Sequence, residues 1–197
     1  MDHTSLQPYL SSSTCIDVED PDLQALARRL AMPARATTDI VLACFEFVRD
    51  EIAHSADFRR NPVTCRASDV LRHRTGFCYA KSHLLAALLR ANGIPAGLCY
   101  QRLATGDEAA PYCLHGLNAV YLAAHGWYRL DPRGNKPGLE ARFDPPREVL
   151  PFTPGKAGEG DLPGILAEPL PVVVGVLESC ATYDQVLAAL PDAALPA

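Results

Sequence analysis

The chain has 197 residues, 48% of them hydrophobic, with a formal charge of −5, enough for one core and with no need of a second. Its 18 basic residues are scattered apart from pairs such as Arg28-Arg29 and Arg59-Arg60, which argues against a nucleic-acid groove. No apolar stretch is long enough to span a bilayer, and residues 1 to 30 lack the basic start and apolar run of a signal peptide, so a soluble, cytoplasmic protein is expected. Seven cysteines without a C-x-x-C pair suggest free thiols in a reducing compartment, with neither a disulfide framework nor a thiolate zinc site.

In chain order, Asp20 before Pro21 is a good N-cap with proline at the first helical position, and Leu23, Leu26, Ala27 and Leu30 form one apolar face of a first helix. Thr38 offers a cap for a second helix over about 39 to 53, with Ile40, Cys44, Phe47, Val48 and Ile52 at helical spacing. Residues 55 to 75 read as a polar loop, apart from a short turn at "SDVL". A third helix starts near Cys78. Leu84 to Leu89 cover nearly its whole circumference, which predicts burial, and Asn92-Gly93 followed by Pro95 stops it.

The period then changes. "AGLCYQRL", "LNAVYL" and "WYRLD" read as three antiparallel strands behind the buried helix, the last two joined through "AAHG". Seven prolines in the 28 residues from Asp144 to Pro171 predict an irregular segment wrapped over the surface. "PVVVGVLES" suits a helix or a buried strand equally well. "TYDQVLAAL" reads as a helix, since Thr182 and Gln185 have capping-box spacing.

Cys78 is the residue with chemistry to offer. A thiolate is the nucleophile, and a reactive cysteine needs surroundings that favour that form; unpaired N–H groups and the positive end of a helix dipole supply some of this. The same N–H groups can hold an oxyanion. An imidazole must also take and return the proton, with a third group to orient it. His115 lies near the start of a strand 37 residues downstream, and Asp131 ends the next strand 16 residues later. A hairpin can bring the two together, although register is not fixed by sequence.

Other candidates carry less. Cys113 lies two residues from His115 but lacks the helix start. His73 and His83 have no second ligand pair at metal spacing, so no metal and no cofactor is expected. Gln101 could donate to an oxyanion, yet reads more simply as an exposed strand glutamine.

A Gly-x-Cys at a helix start, then "LLAALLRANGIPA", then a His-led strand and a strand ending in "LDP", resembles the core of the transglutaminase-like superfamily. The resemblance covers roughly residues 40 to 135. It implies an α+β, papain-like fold in which a buried catalytic helix packs on an antiparallel sheet. It further implies a Cys-His-Asp triad with Cys78 as nucleophile, His115 as general base and acid, and Asp131 as its orienting carboxylate. The family often has Trp and Glu where this chain has Leu117 and Ala119, and Thr where it has Arg133.

A single transglutaminase-like domain over 1–197 is therefore expected, with residues 144–197 as a Pro-rich wrap and C-terminal helix. The expected activity is acyl transfer or amide or ester hydrolysis through a thioester, on a peptide, protein or small amide or ester, with neither nucleic acid nor membrane as partner. Two other readings are open. Arylamine N-acetyltransferases also place a cysteine after a glycine at a helix start and would use acetyl-CoA, but Arg74-Thr75-Gly76 departs from their Arg-Gly-Gly. A binding or scaffolding module could also keep the fold without turnover.

Overall fold

A computed structural model describes residues 5–32, 34, 36–106 and 110–196. A 3₁₀ turn at Gln7–Leu10 precedes α1, Pro21–Ala31. Asp20 caps α1 as the sequence predicts, its Oδ1 accepting from the Asp22 and Leu23 N–H groups at 3.0 and 3.1 Å. The second helix, α2, is Thr37–Glu51, two residues earlier than its spacing suggested. Thr38 lies inside it, because Asp39 reaches back instead and accepts from the Ala36 N–H at 3.0 Å.

The stretch expected to be a loop is more ordered. After a two-residue strand β1 (Ala53–His54), it holds a short helix α3 (Ser55–Phe58) and a second helix α4 (Ala67–His73), and leads to a two-residue strand β2 (Thr75–Gly76). Helix α4 is too short to announce itself by periodicity. A distant residue holds it: the Asp17 carboxylate accepts from the Ser68 N–H and hydroxyl.

Helix α5, Cys78–Ala91, is the centre of the molecule, and its residues from Cys78 to Arg90 are all buried. Helices α1, α2 and α4 pack on it from one side, and two strands, β3 (Ala96–Ala104) and β4 (Tyr112–Leu122), from the other. Its buried cations meet carbonyls. Lys81 Nζ donates to the Ile52 and Arg49 carbonyls at the end of α2, and the Arg90 guanidinium to those of Ser11, Ala96 and Ala167.

Strand β5 is Gly126–Leu130. Three short strands follow in the Pro-rich region: β6 (Arg142–Asp144), β7 (Arg147–Val149) and β8 (Gly160–Asp161). The main sheet is antiparallel with order β5-β4-β3-β8. The expected wrap is thus partly regular. It covers the outer edge of β3, where Leu98 and Leu166 exchange both backbone hydrogen bonds at 2.8 and 2.9 Å. "PVVVGVLES" is a helix, α6 (Pro171–Ser179), and α7 is Tyr183–Ala188 with the predicted Thr182–Gln185 capping box. No helix among the described residues is long and apolar enough to cross a membrane.

Candidate active site

Cys78 is the first residue of α5, and its position depends on two glycines. A Cβ on Gly76 would lie 3.2 Å from both Ala80 Cβ and Thr64 Oγ1, so the turn into the helix leaves little room for a side chain there. A Cβ on Gly116 would lie 3.0 Å from Tyr79 Cδ1 and 3.2 Å from its Cα. Gly116 therefore lets β4 approach the first turn of α5 closely. At that approach the Gly116 N–H points at Cys78 Sγ, 3.5 Å away, and the Tyr79 hydroxyl donates to the Leu114 carbonyl at 2.5 Å.

The β4–β5 ladder pairs Asn118 with Leu130. One further step puts Asp131 opposite Leu117, so His115 and Asp131 are diagonal neighbours on one face of the hairpin. Their shared odd numbering matches because the 123–125 connection is three residues long, with Gly126 at φ +73°. His115 Nε2 and Asp131 Oδ2 are 2.5 Å apart, and Asp131 Oδ1 accepts from the Arg133 N–H at 2.8 Å. Both side chains are buried. Since Nε2 meets the carboxylate, Nδ1 is the ring nitrogen left for the sulfur.

Burial works to lower the His115 pKa, but the Asp131 carboxylate and the Cys78 sulfur, through charge and hydrogen bonding, outweigh it. The pKa is pushed up to about 10. The ring thus holds a second proton through the neutral range. Phe152, from the Pro-rich segment, packs edge-on to it with centroids 4.7 Å apart.

Cys78 and His115 share a cleft of about 220 Å³, lined chiefly by apolar side chains including Phe77, Leu103, Phe152, Leu187 and Leu190. Cys113 also lines it, but burial pushes its thiol up to about 11. Gln101 is turned elsewhere. It is buried rather than exposed, and its amide donates to Asp161 Oδ1 at 2.9 Å. His73 is exposed and His83 fully buried, so the two histidines weighed as metal ligands do not form a pair.

One residue of the cleft had no signal in the sequence. The parallel β1–β2 pairing sets His54 beside Gly76, and so beside the start of α5. Burial, helped by the Arg133 charge, pushes the His54 pKa down to about 3, leaving a neutral ring.

Residues 24–132 match the family described as the transglutaminase-like superfamily. This chain belongs to the transglutaminase-like superfamily. Two solved structures share the fold of this transglutaminase-like chain. One is a candidate cysteine protease from Cytophaga hutchinsonii, with 22% identity over 65% of this chain and 42% of that one, at a TM-score of 0.51. The other is the periplasmic domain of TgpA from Pseudomonas aeruginosa, with 25% identity over 67% of this chain and 49% of that one, also at 0.51. The chain thus spans less than half the length of either. No curated protein is close enough to count as a match.

The superfamily's usual Trp and Glu after the histidine are replaced here by apolar packing. Leu117 and Ala119 join Cys99 in a small cluster under Trp127, Leu150 and Ile165. Arg133, where Thr is common, sends its guanidinium to the Asp57 carboxylate at 2.9 Å. Neither change intrudes between His115 and Asp131.

Proposed function

We propose that this protein is a cysteine hydrolase of amide or peptide bonds, working through a thioester on Cys78. The observation that carries the reading is the His115 Nε2–Asp131 Oδ2 contact of 2.5 Å, made by a histidine that lines the same cleft as a cysteine at a helix start. In the reading, the Cys78 thiolate attacks the substrate carbonyl carbon while His115 holds the proton. The developing oxyanion faces first-turn N–H groups that have no partner within the helix. Collapse breaks the C–N bond, and His115 gives its proton to the leaving amine. A water then loses a proton to His115, adds to the thioester carbon and releases the acid, restoring the thiolate–imidazolium pair. An amine in place of water would make the same enzyme a transferase.

The apolar lining by Leu103, Leu187 and Leu190 favours a substrate with a hydrophobic side chain beside the reacting carbonyl. Seven free thiols suit a reducing compartment, which supports a cytoplasmic setting.

The test is a panel of fluorogenic peptides differing in the residue before the scissile bond, assayed with wild type and Cys78→Ala. Release of the fluorophore by wild type alone, strongest after an apolar residue, is expected. Equal release by Cys78→Ala would contradict the proposal.

A further inference from the structure

Cys15, Cys65 and His83 are separated by 50 and 18 residues in the chain and meet in the core. The Ala67 N–H donates to the Cys15 carbonyl at 2.9 Å and fastens the segment before α1 to the entry of α4. His83 arrives from the second turn of α5. The two sulfurs are 3.6 Å apart, and both sulfurs and a ring nitrogen of His83 lie within 4.8 Å of one another.

The histidine decides what the cluster is for. Its Nδ1 lies 2.8 Å from the Cys65 carbonyl oxygen, which can only accept, so Nδ1 carries the proton. Nε2 is then a bare lone pair. It is fully buried, on a residue that is 0% exposed, and has no hydrogen-bond partner. An unpaired acceptor in a core is costly unless something fills the space before it. A metal ligand of this type characteristically donates its other N–H to a carbonyl, as His83 does.

We propose that Cys15 Sγ, Cys65 Sγ and His83 Nε2 bind one zinc ion. A tetrahedral zinc with Zn–S bonds of about 2.3 Å requires sulfurs about 3.8 Å apart, close to the separation seen. The ligand set is soft and contains no carboxylate, which disfavours magnesium and calcium. Binding releases one proton from each thiol to solvent, and two thiolates with a dication leave the buried cluster neutral. Three protein ligands leave one position for water. The ion would staple the segment before α1 and the entry of α4 to the helix that begins with Cys78. Linear spacing could not show this, since each ligand comes from a different element.

The experiment uses the full chain, reduced, stripped with chelator and titrated anaerobically with cobalt(II). One equivalent should produce a thiolate-to-cobalt charge-transfer absorption that one equivalent of zinc abolishes, and zinc should raise the melting temperature. Cys15→Ser, Cys65→Ser and His83→Gln should each weaken binding by at least the 10- to 100-fold that loss of an outer-shell partner costs. Cys78→Ala should bind cobalt as wild type does. Should a ligand variant fail to fold, the wild-type titration and its zinc-dependent melting shift still decide. No charge-transfer band in folded, reduced wild type overturns the proposal. So does a band that persists in Cys15→Ser and vanishes in Cys78→Ala, or a Cys15–Cys65 disulfide that resists reductant and leaves cobalt unbound.

Discussion

His115 Nε2 and Asp131 Oδ2 lie 2.5 Å apart although the residues are 16 positions apart in the chain, because the β4–β5 register makes them diagonal neighbours on one face. The carboxylate has two tasks in the proposed reaction: to hold the imidazole with Nδ1 toward Cys78, and to stabilise the imidazolium. An amide of equal shape does neither. Asp131→Asn should therefore fold, with a melting temperature near wild type, and lose roughly 10³- to 10⁴-fold in kcat, the scale known for a triad whose carboxylate becomes an amide. Steady-state kinetics beside a melting curve measure both, and unchanged turnover would remove Asp131 from the mechanism.

The His115 pKa sets an alkaline limit. With that value pushed up to about 10, the ring keeps the proton needed by the leaving amine through the neutral range and loses it as pH rises toward about 10. The profile of kcat/KM should therefore fall on its alkaline side near that value. In Asp131→Asn the fall should move to lower pH. A limb that stays in place would show that Asp131 does not hold the proton on His115.

Much of the helical scaffold and of the site was legible in the sequence, for definite reasons. Helix α5 is read from Leu84 to Leu89 because a run apolar on every side has one stable location, and α1 because Asp20-Pro21 marks its start locally. The pairing of His115 with Asp131 was legible only as a possibility of the hairpin, since a one-residue slip would have turned them to opposite faces. What stayed hidden depends on partners far away in the chain. Helix α4 is held by Asp17, Lys81 and Arg90 are buried because distant carbonyls receive them, and His54 joins the cleft through the β1–β2 pairing. None of these leaves a periodic trace.

Acid should destabilise the metal-free protein through two buried histidines. Burial pushes the His83 pKa down to about 4 and that of His54 to about 3, against 6.5 for an ordinary histidine. A depressed folded-state pKa means stability that is complete above 6.5 and is lost as pH falls toward the folded values. Between about pH 6.5 and 4 the unfolded chain takes up these protons first, at about 1.4 kcal/mol per pH unit for each group fully titrated in one state alone. His115, whose pKa is raised, opposes this only above 6.5. Urea unfolding across the window should show falling stability, with a shallower slope in His54→Gln. An unchanged slope in that variant would mean that His54 is protonated in the fold.

Gly116 is where sheet and helix touch. A methyl group there would lie 3.0 to 3.4 Å from the Tyr79 ring, Cα and N, so strand and helix start must separate by a few tenths of an ångström. Gly116→Ala should cost about 1–3 kcal/mol of stability and lower activity more than stability, because the same shift moves the Gly116 N–H from Cys78 Sγ. Melting curves and kinetics on the purified variant check both, and wild-type activity would show that this approach does not position the sulfur.

The central claim is that His115 makes Cys78 the reactive thiol of the seven. The direct measurement is site-resolved mass spectrometry after brief alkylation of the folded protein at about pH 6, where an ordinary thiol is almost fully protonated and slow. Three of the others are held back by their surroundings, since burial pushes Cys44 and Cys99 up to about 12 and Cys113 to about 11, whereas the hydrogen bond from Cys65 lowers the Cys15 pKa and makes Cys15 the control to watch. Cys78 is predicted to be modified first, and to slow by on the order of 100-fold in His115→Ala. Labelling of Cys78 no faster than the other six, or at the same rate in His115→Ala, would contradict the account.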